Sequence, residues 1–191
     1  RSHAGNGLLA FATALEFGLT RADTGLLVMP MCHANSLYFF VTFLYLGATV
    51  VVDDRKSFDP EALLATLARE HVTFTSLVPT HYIMMLGLPE ATKARYDVSA
   101  VGKLLISSAP ARADTKRAIL AHFANSRLFE LYGATETGWV TILRPDEQIA
   151  SSAQRLQLAR LFRREVDRRQ VRPPGGGTQL PRVLLVVLHA A

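Results

Sequence analysis

One cysteine, Cys32, stands in 191 residues, so no internal disulfide can staple this chain. That usage fits a reducing cytoplasm. A Cys32–His33 catalytic dyad is disfavoured, because neighbouring residues on an extended segment point to opposite faces; Cys32 reads as a small buried hydrophobe. No apolar run reaches the ~20 residues that a helix needs to cross a bilayer. The longest, Leu37 to Val52, is interrupted by Gly47-Ala48 and ends in a β-branched run, so it reads as a buried helix feeding a core strand. No charged-then-apolar leader opens the chain; it starts on Arg1-Ser2-His3 without Met and is expected to be a piece of something longer. Internal repeats are missing too. His71, His81 and His122 lack metal-ligand spacing and read as structural.

Lysine is absent from residues 149–191, which carry 8 Arg against one Glu and one Asp. Residues 1–148 hold 13 Lys+Arg against 14 Asp+Glu. The formal charge of +5 therefore belongs to the tail, and the body is close to neutral. From about Ile149 the apolar periodicity dissolves into an Arg-rich stretch and then Pro173-Pro174-Gly175-Gly176-Gly177, which breaks regular structure. Two segments follow: 1–148 as the folded body, and 149–191 as an Arg/Pro/Gly-rich tail expected to be poorly ordered and out of frame.

Within the body, short apolar runs alternate with helical patterns. Leu8 to Phe17 is a helix ended by Gly18, and Leu26 to Met29 a strand stopped by Pro30. Asn35 or Ser36 caps a helix running to Leu46, and Thr49 to Val52 is a strand. Asp59-Pro60-Glu61 starts a helix that reaches Glu70: a capping carboxylate, proline at the first helical position, and an acid near the dipole. Val72 to Val78, Lys103 to Ser107 and Arg127 to Tyr132 are further strands, with helices after Pro79 and Asp114. This alternation predicts an α/β fold with a mostly parallel sheet and helices on both faces.

The last of those strands delivers Tyr132-Gly133-Ala134-Thr135-Glu136-Thr137-Gly138-Trp139. Ligands of open α/β sheets bind beyond the carboxyl ends of the strands. Gly133 permits a tight turn or close approach of a ligand to the backbone. Tyr132 offers a ring for a flat heterocycle, Thr135 a hydroxyl, and Glu136 the hard oxygens that Mg²⁺ prefers. Trp139 reads as packing. On these residues alone, a plain polar turn stays open.

Tyr-Gly-Ala-Thr-Glu resembles the core signature of the adenylate-forming (AMP-binding) superfamily, and three other segments agree in order. Arg1-Ser2-His3 resembles the close of that family's phosphate loop. Met29-Pro30-Met31-Cys32-His33 resembles its Pro-x-x-His segment. Ile106-Ser107-Ser108-Ala109-Pro110 resembles its small-residue turn, with serines where the family often has Gly-Gly. The texture is most similar to fatty-acid and aryl acyl-CoA synthetases.

The resemblance implies an ATP-dependent carboxylic acid–CoA ligase that forms an acyl-adenylate and passes the acyl group to CoA. It implies ATP, Mg²⁺ and CoA as partners alongside a small carboxylic acid. Thr135 and Glu136 would be catalytic, with Glu136 on the metal. Ser108, Ala109, Pro110, Tyr132, Gly133 and Thr135 would hold the nucleotide, and His33 would border the acyl pocket. The family's phosphate loop, ribose-binding Asp and catalytic Lys have no match in these 191 residues, so the chain alone is expected to be inactive and a neighbouring chain to carry the missing motifs. Two other readings stay open: a catalytically dead remnant, and weak nucleic-acid binding through the basic tail.

Overall fold

The computed structural model describes residues 2–135 and 138–148. The tail from 149 onward, Arg1, Glu136 and Thr137 lie outside the described residues, and so do the expectations that fall on them.

Among the described residues, six strands form one sheet in the order β2-β1-β3-β4-β5-β6. They are β1 (Thr24–Leu27), β2 (Thr49–Val52), β3 (Phe74–Leu77), β4 (Lys103–Ile106), β5 (Arg127–Ala134) and β6 (Gly138–Leu143). The first five are mutually parallel, and β6 returns antiparallel to β5. This is the order of a common doubly wound sheet, closed by one extra hairpin strand.

Period-two alternation sends successive side chains to opposite faces, and each face carries its own core. Leu26, Leu104, Ile106 and Leu128 meet Leu63, Leu64 and Leu67 of α3 (Pro60–Arg69), Tyr82 and Met85 of α4 (Pro79–Leu86), and Ile119 of α6 (Ala113–His122). Their sequence neighbours Leu27, Leu105 and Phe129 face the other way, onto Phe17 of α1 (His3–Phe17) and Phe39 and Phe43 of α2 (Ala34–Leu46). That second core is aromatic. Phe17 meets Phe129 edge-on at 5.0 Å between centroids, and Phe39 lies 4.7 Å from Phe74. Each such side chain taken out of water contributes roughly 1.5–3 kcal/mol. Among the described residues a short helix, α5 (Glu90–Lys93), completes the set of α-helices.

The starts of α1, α2 and α3 follow from side-chain caps. Asp59 Oδ1 accepts from the Glu61 and Ala62 amides at 2.9 and 3.0 Å, and Pro60 opens α3 as the sequence predicts. Ser2 caps α1 through Gly5, so that helix starts five residues earlier than its apolar pattern suggests. The cap of α2 is neither Asn35 nor Ser36. It is His33, whose Nδ1 accepts from the Asn35 amide at 3.2 Å. Both serine and asparagine are freed for other bonds: Ser36 Oγ donates to the Met29 carbonyl at 2.6 Å.

Three further expectations are corrected. Cys32 is exposed, in the segment that leaves the sheet at its carboxyl edge. The Leu37–Val52 segment is only partly buried: β2 is an edge strand, and α2 leaves Leu37, Leu44 and Tyr45 exposed. Finally, the strand does not end at Tyr132 with a turn at Gly133. β5 runs on to Ala134 and pairs with β6 through a bulge, with Tyr132 opposite Thr141 and Gly133 opposite Trp139. A Cβ on Gly133 would lie 2.3 Å from the Gly138 carbonyl oxygen and 2.8 Å from Trp139 Cα. The glycine is therefore required by the chain's own hairpin.

Candidate active site

Parallel strands deliver their following segments to one edge of the sheet. Residues 28–33 follow β1, Ser107–Ala111 follow β4, and Tyr132–Thr135 end β5 and begin the hairpin. The sequence-predicted site residues that the structure describes thus share that edge. His33 stands apart from the rest, with β3 and β4 between its strand and β5. It is exposed and spends Nδ1 on capping α2.

Ser107 and Ser108 differ sharply although they are neighbours. Ser107 is buried and accepts a hydrogen bond from Asn35 Nδ2. Ser108 is exposed with φ +69°, a left-handed conformation in which glycine is at ease and serine is strained. Ala109 and Pro110 continue the turn, and Ala111 ends it by donating its amide to Glu130 Oε1 at 3.2 Å. Tyr132, Gly133, Ala134 and Thr135 are all exposed at the residue level. Tyr132 is 44% exposed.

Three bonds that no sequence signal announces hold this edge in place. Asn35 Nδ2 donates to Ser76 Oγ at 2.9 Å as well as to Ser107, tying the start of α2 to the ends of β3 and β4. The Tyr38 hydroxyl donates to the Thr135 carbonyl at 2.8 Å, tying α2 to the hairpin turn. Beside that bond, α1 and α2 enclose a groove of about 380 Å³. Leu9, Ala10, Leu37 and Val41 give it an apolar lining, and Tyr38 and Thr135 belong to it.

The remaining candidates are structural. Trp139 Nε1 donates to Thr13 Oγ1 at 2.9 Å and locks β6 onto α1. His81 stacks on Phe58 at 4.0 Å, and burial holds its pKa below the usual value. His122 is also pushed down, first by burial and then by Lys93. His71 is exposed at φ +46°. Among the described residues no three His, Cys, Asp or Glu cluster as metal ligands, and no helix is long and apolar enough to cross a membrane. Glu136, the residue expected to hold Mg²⁺, lies outside the described residues.

A family model described as AMP-binding enzyme matches residues 2–162. The 4-coumarate–CoA ligase 1 of Oryza sativa subsp. japonica is 35% identical over 124 residues, covering 64% of this chain and 21% of that protein. Acyl-CoA synthetase 7 of Caenorhabditis elegans is 28% identical over 116 residues, 61% of this chain and 21% of that one. In three dimensions the chain resembles the N-terminal domain of FACL13 from Mycobacterium tuberculosis, with a TM-score of 0.67 at 22% identity, over 76% of this chain and 36% of that one. The chain thus spans about a fifth of the length of these two curated relatives.

Proposed function

The chain belongs to the AMP-binding enzyme family, and on that premise we propose that it supplies the nucleotide-facing edge of an ATP-dependent carboxylic acid–CoA ligase. The reaction joins a carboxylate oxygen to the α-phosphorus of ATP with loss of pyrophosphate. The CoA thiol then attacks the acyl carbon and releases AMP. The observation that carries this reading is the meeting, at one edge, of the Ser108–Pro110 turn, the exposed Tyr132 and the exposed Thr135.

In this reading Tyr132 stacks on adenine, and the small residues Ser108, Ala109 and Pro110 let the base and ribose approach the backbone. The Thr135 hydroxyl donates to an α-phosphate oxygen, where charge grows as the carboxylate attacks. Gly133 keeps the hairpin narrow enough to present Thr135. The groove between α1 and α2 takes the apolar body of the acid and brings its carboxylate to Thr135, which positions the two reactants. His33 is assigned to the acyl side, and Glu136 to Mg²⁺, on the resemblance. When bound, that ion draws charge from the phosphate oxygens.

These 191 residues do not turn over by themselves, because positioning groups act as a unit and several motifs of the family have no match among them. Two measurements test the reading. Titration of the chain with AMP saturates, and Tyr132→Ala weakens binding by about tenfold, as expected when a base loses its aromatic platform. Pyrophosphate release with ATP, Mg²⁺, CoA and a panel of fatty and aromatic acids stays at background. Unsaturable AMP binding contradicts the nucleotide assignment, and turnover abolished by Glu136→Ala contradicts the inactivity.

A further inference from the structure

Building on the nucleotide reading, we propose that Glu130 and Lys116 are positioning residues that pin the Ser108–Ala111 turn against β5 and so set the slot for the nucleotide's base. Neither residue belongs to a segment that marks the site in the sequence. Glu130 stands opposite Ile106 in the parallel ladder, two strand positions before Tyr132. Its carboxylate reaches in two directions. Oε1 accepts from the Ala111 amide at 3.2 Å, and Oε2 meets Lys116 Nζ at 2.5 Å.

The burial of Lys116 makes this arrangement informative. It is 2% exposed, and a lysine is almost never so enclosed unless it is paired. Such a pair is a poor source of stability, since well-packed apolar residues usually serve as well. What it does provide is direction: the ammonium holds the carboxylate in one rotamer, with the other oxygen aimed at Ala111.

Alternation along β5 sets the geometry. Leu128 packs in the core shared with α6, while Phe129 and Leu131 face the opposite core, so Glu130 and Tyr132 share the α6 side of the sheet. The carboxylate that grips Ala111 is therefore next to Tyr132 on the same side of the strand. The turn is pinned at both ends, at Ser107 by Asn35 and at Ala111 by Glu130. Between those pins sits Ser108 at φ +69°, a strained residue that persists only where its surroundings impose it. Releasing one pin lets the turn relax and alters the spacing between its backbone and the Tyr132 ring.

The experiment compares the full chain with two double variants by amide exchange in NMR and by AMP titration. Glu130→Ala with Lys116→Met removes the acceptor without leaving a buried charge. Glu130→Gln with Lys116→Met keeps an acceptor for Ala111 and removes only the charges. The first is expected to melt near wild type, to speed Ala111 exchange by about tenfold with core amides of β3 and β4 unchanged, and to weaken AMP binding by a similar factor. The second is expected to restore both values to within about threefold of wild type. Unchanged Ala111 exchange, uniform acceleration across the domain, or a free turn with unaltered AMP affinity overturns the proposal; so does a glutamine variant as impaired as the alanine one. Failure of the wild-type chain to bind AMP sinks the underlying nucleotide reading, and the wild-type arm alone reveals it.

Discussion

Tyr38 and Thr135, 97 residues apart in sequence, are joined by a hydrogen bond of 2.8 Å from the tyrosine hydroxyl to the threonine carbonyl. The bond joins the groove between α1 and α2 to the hairpin turn that carries Thr135, whose hydroxyl we propose faces the phosphate. Removing it with Tyr38→Phe deletes one polar contact at an exposed position and leaves the ring in place. The expected loss of folding stability is about 0.5–1.5 kcal/mol in chemical denaturation. AMP affinity is expected to fall with it, measured on the folded protein well below the melting range. A full loss of stability without a change in AMP affinity separates Thr135 from the ligand.

Ser108 supplies a prediction of opposite sign. Its φ of +69° strains an L-residue by ~1–2 kcal/mol, and glycine removes that strain while adding entropy to the unfolded chain. Ser108→Gly is expected to leave stability unchanged or raise it by up to about 1 kcal/mol, with the turn intact. A clear drop in the denaturation midpoint shows that the serine hydroxyl contributes more than the strain costs.

At the opposite edge of the sheet, Asp23 accepts from Lys103 Nζ at 2.6 Å, from Thr73 Oγ1 at 2.8 Å and from the Thr20 amide at 2.7 Å. Burial pushes its carboxyl up, but the bonds from Lys103, Thr73 and Thr20 together outweigh it and hold the pKa below the ordinary value. A carboxylate lowered on folding stabilises fully above its unfolded pKa, about 3.9, and loses that contribution as pH falls through the lower folded value. Below about pH 4 the wild-type chain is expected to lose stability more steeply than Asp23→Asn. Parallel pH profiles for the two proteins remove Asp23 from the acid response.

The layered α/β plan was legible because its signals are local. Asp59-Pro60-Glu61 carries its own helix start, and apolar runs such as Leu104 to Ile106 announce a strand covered on both faces. The hairpin was less visible. Trp139-Val140-Thr141-Ile142-Leu143 is rich in β-formers, but Gly133 drew attention as a turn residue, whereas its need arises from the backbone of a strand that follows it. Asn35 reads as a cap, since nothing in its neighbourhood indicates Ser76 and Ser107, which lie 41 and 72 residues further on. Nothing local in α6 marks Lys116 as buried, and only the fold places Glu130 against it. The exposed positions of Tyr132 and Thr135 at the carboxyl edge were legible; the bonds that hold that edge are long-range.

The central claim is that the turn after β4 and the end of β5 hold an adenine nucleotide. The direct measurement is an NMR titration of the chain with AMP, following backbone amide shifts residue by residue at low and moderate salt. The account predicts saturable shifts concentrated at residues 107–111 and 132–135, weaker with GMP than with AMP and only modestly reduced by salt. Shifts confined to the Arg-rich residues 149–191 and abolished by salt, or no shifts at all, contradict it.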